Sequence, residues 1–417
     1  MEFGCIGEHL SHSFSKEVHA QIGAYSYDLC EVEKNALDSF MQKKEFRGIN
    51  VTIPYKKDVI PYLSFISEEA QMIGAVNTIL NKDGALFGYN TDFKGMQALL
   101  LKLGLSLKSK KVLILGTGGT SQTAKAVAAH MGAREVISVS RAQRSEAVTY
   151  ECAKKEHTDA EILINTTPCG MYPNAEDAPI DLAFFPHLQG VVDAIYNPLR
   201  SNLVLAAQNR GIPAIGGLYM LVAQAVYAAQ IFEQKEFSPS FIDEIYENVL
   251  SDKRNTDLIG MPGCGKSTIG KALAEREGKP FFDTDDFIFQ KQGQTSAQII
   301  ETLGEEAFRN VESEVIAQIS AANGCVIATG GGAVLREENV RALKRNGTLV
   351  FLDRPLEDLL PTTDRPLSST KEAIENLYLS RYATYCACAE DHDIYLSFFL
   401  FFHHNFAFLL FNKQCWN

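Results

Sequence analysis

The chain reads as an α/β protein whose strands lie in parallel sheets, with two turns built to grip nucleotides. Three observations predict this. From Lys111 the apolar runs KVLILG, EVISVS, EILINT and GVVDAIY alternate with segments of crossover-helix length. Short apolar strands alternating with helices indicate a parallel sheet wound by right-handed crossovers. The first of these runs ends in Gly116-Thr117-Gly118-Gly119 and passes into TSQTAKAVAAHMG, and a later strand, DLIG, feeds G-x-x-x-x-G-K-S from Gly260 to Ser267.

A chain of 417 residues is too long for one ordinary core, so two or three domains are expected. Residues 1–107 mix short strand-like runs (GINVTIPY, AVNTIL) with helical stretches, and the regular strand–helix pattern occupies 108–217. Two helices follow, in LYMLVAQAVYAAQIFEQ and SFIDEIYENVL. Polar SDKRNTD (251–257) reads as a linker, with a domain boundary near residue 252 and a second α/β domain over 256–393. There is no internal repeat.

Hydrophobic residues at 46% and charged residues at 22% are ordinary for a soluble globular protein. A net charge of −12 disfavours nucleic-acid and acidic-membrane partners and leaves small molecules as the expected ones. The nine cysteines have no metal-ligand pairing and no signal peptide precedes them, so free thiols in a reducing cytoplasm are expected. The stretch 394–417 departs from this picture, being dense in Phe and almost free of charge. His403-His404-Asn405 interrupts it, whereas a membrane span needs roughly 20 unbroken apolar residues. An odd terminus, as from a shifted reading frame, is preferred to an anchor.

At the first turn, Gly116, Gly118 and Gly119 let the backbone approach a pyrophosphate, and the helix opening at Thr120 offers its amides. A tight structural turn would use the same glycines. The next strand ends at Ser140-Arg141, with Arg144 close behind and no carboxylate. Arginine without an acid suits the 2′-phosphate of NADP; surface arginines in a loop are the competing reading.

The blocks around this turn resemble a known family. HSFS (12–15), GINVTIPYK (48–56), GAVNT (74–78), GYNTD (88–92), INTTPCGM (164–171), DAIYNP (193–198) and GLYMLVAQA (217–225) match, in order, the signatures of shikimate dehydrogenase. The resemblance covers essentially all of residues 1–250. It implies a two-domain dehydrogenase: a substrate domain over 1–107, completed by helices in 218–250, and a Rossmann-like NADP(H) domain over 108–217. It places Ser13, Ser15, Thr52, Asn77, Tyr196 and Gln224 around the substrate and Gly217 at the cofactor, and makes Lys56 and Asp92 the catalytic pair. The residue types suit the chemistry: an ammonium stabilises and protonates a developing alkoxide, and a carboxylate orients it. Taken alone, the two would read as a surface ion pair. His9 and Lys16 stand where the family often has proline, implying altered loop stiffness and unchanged chemistry.

The P-loop is a stronger signal, since strand and helix flank it as its mechanics require. Amides around Gly263, Cys264 and Gly265 would cradle phosphates, with Thr268 following in the helix. Lys266 would reach the β- and γ-phosphates and Ser267 would help to hold Mg²⁺. In FFDTDDF (281–287), Asp283 and Asp285 are two apart at a strand end, so one can serve a metal and the other a substrate hydroxyl.

With EEAFRNVE (305–312), VIATGGGAV (326–334) and TDRPL (363–367), this region resembles shikimate kinase, a P-loop α/β fold with a parallel sheet. The resemblance makes Arg309 and Arg381 partners of the substrate carboxylate. It brings Gly330, Gly331 and Gly332 against the ring, Arg365 onto ATP phosphates, and gives Asp285 the attacking hydroxyl. A bidentate guanidinium suits a carboxylate.

Together the two resemblances imply a bifunctional shikimate-pathway enzyme: NADPH-dependent reduction of 3-dehydroshikimate to shikimate, then phosphorylation of shikimate by Mg-ATP. Rival readings are quinate as dehydrogenase substrate beside an impaired kinase, or a non-catalytic sensor; retention of Lys56, Asp92, Lys266, Asp283 and Asp285 counts against the sensor. Because the chain departs from the kinase pattern near Asp393, the last strand and part of the adenine pocket are expected to be missing or replaced.

Overall fold

The computed structural model describes residues 1–10, 14–23, 25–238, 240–359 and 370–394. The chain divides into two compact units, Met1–Asp252 and Lys253–Asn417.

The first unit holds two six-stranded sheets. One runs in the order Tyr27–Glu31, Phe3–Gly7, Gly48–Val51, Thr78–Lys82, Ala85–Tyr89, Phe65–Ile66, with antiparallel pairing at its centre. The other is wholly parallel: Ala214–Ile215, Gly190–Asp193, Ile162–Asn165, Lys111–Leu115, Glu135–Ser140, Val148–Thr149. Lys111–Leu115 is first in sequence yet central, because later strands add on one side and then on the other. That reversal opens a crevice at its carboxyl end, where open α/β sheets bind ligands. Val112, Leu113, Ile114 and Leu115 are all fully buried, as a strand covered on both faces must be.

Helices Thr91–Lys102 and Leu218–Glu233 pack closely, and Gly95 permits the approach: an added Cβ would lie 2.9 Å from the Met220 carbonyl oxygen. Met96, Leu99, Val222 and Val226 share one core with Val112, Ile114, Ile245 and Val249, so the helices of 218–250 pack with the first hundred residues and the parallel sheet.

The second unit is a five-stranded parallel sheet in the order Phe281–Asp283, Val326–Ala328, Asn255–Ile259, Gly347–Asp353, Asp391–Ile394. Two sequence expectations are corrected here. The stretch 251–257 is not a linker: helix Phe241–Lys253 continues into it and strand Asn255–Ile259 begins within it. Its polarity misleads because Asn255 is buried with its amide satisfied, Nδ2 donating to Ala322 O at 2.8 Å and Oδ1 accepting from Cys325 N at 3.0 Å. The last strand is also present. Asp391–Ile394 pairs in parallel with Val350–Asp353, backbone bonding making a strand of a sequence without an apolar pattern. The Phe-rich residues 395–417 lie outside the described residues. Among the described residues no helix is long and apolar enough to cross a membrane.

Candidate active sites

In the first unit, Asn90 caps helix Thr91–Lys102, its Oδ1 accepting from Phe93 N at 3.2 Å while Nδ2 donates to Ala75 O at 2.9 Å. Asp92 therefore sits in a first turn, where the helix dipole favours a carboxylate. Lys56 lies beyond strand Gly48–Val51, its carbonyl accepting from Val76 N at 2.8 Å. Its Nζ donates to Asp92 Oδ2 at 2.6 Å, with the side chains 27% and 17% exposed. This pair is half-buried.

Asn77 is buried beside it. Its Oδ1 accepts from Thr91 N at 2.7 Å, which fixes the amide orientation, and its Nδ2 donates to Thr91 Oγ1 at 3.1 Å. The second hydrogen on Nδ2 is the one available for a ligand oxygen. Thr52 is half-buried, its N–H donating to Ile6 O at 2.9 Å, and its methyl lies against Gly7. Gln224 lies on Leu218–Glu233 against Gly95, one turn from Asp92, with Nε2 donating to Leu221 O at 2.9 Å. The Tyr196 ring packs on Phe14 at 5.3 Å between centroids, next to Ser15, which opens helix Ser15–Ile22; burial pushes the Tyr196 phenol up. Ser13 lies outside the described residues. Cys5, on the neighbouring strand, feels the charges of Lys56 and Asp92, but burial dominates and pushes its thiol up to about 12.

At the glycine turn, Gly116 has φ 112° and its Cα faces Thr166 Oγ1. A Cβ added at Gly118 or Gly119 would meet nothing within 4 Å, and helix Gly119–His130 has no side-chain cap. Thr120 is half-buried in its first turn. Ser140 Oγ donates to Ala142 O, bending the chain at the strand end. Arg141 and Arg144 beyond it are exposed and, among the described residues, pair with no carboxylate. Gly217 differs from the other glycines: it is buried, its N–H donates to Ile195 O at 2.7 Å, and an added Cβ would overlap the Ala194 carbonyl. Its smallness serves the backbone crossing.

In the second unit, Gly263 and Gly265 take φ 78° and 100°, as the loop requires. Lys266 is buried, its Nζ donating to the Gly260 and Met261 carbonyls, each at 2.9 Å. Cys264 is buried and its amide is used within the loop, donating to Met261 O at 3.2 Å, whereas Thr268 is exposed. Ser267 Oγ donates to Asp283 Oδ2 at 2.6 Å, so these two hard oxygen groups meet. Asp283 Oδ1 caps helix Thr284–Gln292 by accepting from Asp285 N at 3.0 Å, and Asp285 Oδ1 accepts from Ser296 Oγ at 2.9 Å.

Arg309 lies over Gly332, where an added Cβ would overlap its guanidinium. Its Nη1 donates to Glu312 Oε2 at 2.6 Å and its Nη2 to Glu305 Oε1 at 3.1 Å. Gly330 N donates to Thr284 Oγ1 at 2.8 Å, and Arg381 Nη1 donates to Gly331 O at 3.1 Å. Arg309, the triple glycine and Arg381 thus form one cluster. Arg365 lies outside the described residues.

Comparison with known proteins identifies the family. Residues 5–79 match the family model of the shikimate dehydrogenase substrate binding domain. The shikimate dehydrogenase (NADP(+)) of Clostridium beijerinckii is 36% identical over 266 residues, covering 59% of this chain and 97% of the relative. The chain belongs to the shikimate dehydrogenase family. Residues 262–394 match the shikimate kinase model, so a shikimate kinase domain follows the dehydrogenase. A chorismate mutase/shikimate 5-dehydrogenase fusion protein from Clostridium acetobutylicum superposes with TM-score 0.57 at 33% identity, covering 59% of this chain and 96% of that one. Shikimate 5-dehydrogenase from Thermus thermophilus, solved with NADP(H) and shikimate, gives 0.53 at 29% identity, covering 60% and 99%.

Sequence reasoning gave no role to Thr91, Thr284, Glu312 or Tyr385. Thr91 and Glu312 stand inside the quoted blocks GYNTD and EEAFRNVE, which were the available signal. Glu312 is buried, and burial pushes its carboxyl up against the lowering pull of Arg309. The residues present fit both cofactors. Open glycines at an uncapped helix start suit a pyrophosphate, and two unpaired exposed arginines suit a further phosphate. Ser267 and Asp283 supply the one or two protein oxygens that Mg²⁺ takes beside phosphate and water.

Proposed function

We propose that the first unit reduces 3-dehydroshikimate to shikimate with NADPH and that the second phosphorylates shikimate to shikimate 3-phosphate with Mg-ATP, in the cytoplasm. The observation that carries the first step is the half-buried Lys56–Asp92 pair at 2.6 Å beside the oriented Asn77 amide. Gly116, Gly118, Gly119 and Thr120 would hold NADPH, with Arg141 and Arg144 at its 2′-phosphate, and the bound cofactor would supply the hydride. Lys56 Nζ stabilises the oxygen that gains charge and gives it a proton; Asp92 keeps that ammonium charged and aimed. Asn77 Nδ2, Ser15, Thr52, Tyr196 and Gln224 hold the ring hydroxyls and carboxylate.

In the second unit Arg309 and Arg381 take the substrate carboxylate and Asp285 orients the attacking hydroxyl. Lys266 exchanges its loop carbonyls for phosphate oxygens. Ser267 and Asp283 would hold Mg²⁺, which would supply neutralisation of phosphate charge.

Initial rates of NADPH oxidation with 3-dehydroshikimate test the first step. NADP⁺ reduction with shikimate should exceed that with quinate, and NADP⁺ should be preferred to NAD⁺. Dominant quinate turnover, or equal use of NAD⁺, would overturn the substrate or cofactor assignment.

A further inference from the structure

The loop Gly330–Gly332 has no side chains, so its neighbours must set its path. Gly330 N is held by Thr284, and Gly332 lies beneath Arg309. Gly331 is held from two sides. Its Cα presses on the P-loop, an added Cβ lying 2.8 Å from Pro262 Cδ. Its carbonyl takes two donors from helix Lys371–Cys388, the Arg381 guanidinium and the Tyr385 hydroxyl. Tyr385 is buried, and burial pushes its phenol well above the usual range, so it remains a donor.

The Tyr385 ring is anchored independently. It stacks on Phe351 at 5.2 Å between centroids with 21° between planes. Phe351 pairs in register with Ile259, the residue before the P-loop glycine Gly260. One side chain therefore joins the strand pair that launches the P-loop to the loop that faces the substrate arginines.

We propose that Tyr385 is a positioning residue of the kinase substrate site, fixing the Gly331 carbonyl so that Arg381 can share it and still present N–H groups to a carboxylate. Without the hydroxyl, Arg381 is, among the described residues, the one remaining side-chain donor to that carbonyl and is drawn toward the loop, away from a ligand. The inference rests on the kinase reading above.

Tyr385→Phe keeps the ring stack and deletes the hydroxyl. Assayed without NADP(H), so that only the kinase unit consumes shikimate, the variant should raise KM for shikimate by about tenfold, roughly the worth of a hydrogen bond to a charged partner. KM for Mg-ATP, calorimetric affinity for Mg-ADP and melting temperature should stay near wild type. Tyr382→Phe, whose hydroxyl donates to Asp353 at 2.8 Å, should leave KM for shikimate unchanged. An unchanged KM in Tyr385→Phe, or an equal rise in Tyr382→Phe, would overturn the proposal. Loss of Mg-ADP affinity in Tyr385→Phe would mark a structural role and overturn it too. A wild type that makes no shikimate 3-phosphate overturns the kinase reading and this inference together, an outcome distinct from an active wild type with an unaffected variant.

Discussion

Lys56 and Asp92 are the smallest unit on which the dehydrogenase reading depends. A proton donor aimed at a developing alkoxide contributes about 10²–10⁴ in rate, so Lys56→Ala should lower kcat for NADPH oxidation within that range. Substrate affinity should change far less, because Asn77 and the hydroxyl-bearing residues remain. Equal losses in kcat and affinity would assign Lys56 to binding.

His19 supports a second residue-scale prediction. Its ring is buried, stacks on Tyr27 at 3.8 Å between centroids and has Nδ1 2.6 Å from Tyr25 Oη; burial lowers its pKa to about 3. A folded-state pKa below the unfolded value of about 6.5 means that the unfolded chain binds the extra proton. The stability from neutral His19 is whole above pH 6.5 and is lost as pH falls through the window down to about 3. Between pH 7 and 5 this amounts to about 2 kcal/mol. Denaturant unfolding of His19→Phe should show that much less loss over the interval than wild type; parallel losses would contradict the assignment.

At the scale of elements, two glycines of the cofactor domain separate by function. Gly217→Ala sets a Cβ against the Ala194 carbonyl, and backbone cannot rotate away as a side chain can. A cost of about 1–3 kcal/mol should appear as a lower melting temperature of the dehydrogenase unit. Gly118→Ala projects into open space and should leave melting unchanged while raising KM for NADPH. The reverse pattern would exchange their roles.

Strand, glycine turn and helix were legible at both nucleotide sites because their determinants are local. What escaped is tertiary. The partner of Gly330, Thr284, opens a separate helix that no local pattern brings to the loop, whereas Glu305 and Glu312 lie four before and three after Arg309 on its own helix, a spacing the sequence does carry. Asn255 sits in a stretch that reads as linker until its buried amide is seen bonded to Ala322 and Cys325. Asp391–Ile394 becomes a strand only by pairing with Val350–Asp353.

For the whole molecule, each unit has its own hydrophobic core, Val112, Leu99 and Val226 contributing to one and Leu258, Val326 and Phe351 to the other. The central claim is that one chain performs two consecutive reactions on one metabolite. Incubating the purified protein with 3-dehydroshikimate, NADPH and Mg-ATP, and following all three acids by mass spectrometry, tests it most directly. The expected result is accumulation of shikimate 3-phosphate by wild type and a halt at shikimate in Lys266→Ala. A wild type that halts at shikimate, or consumes no 3-dehydroshikimate, would contradict it.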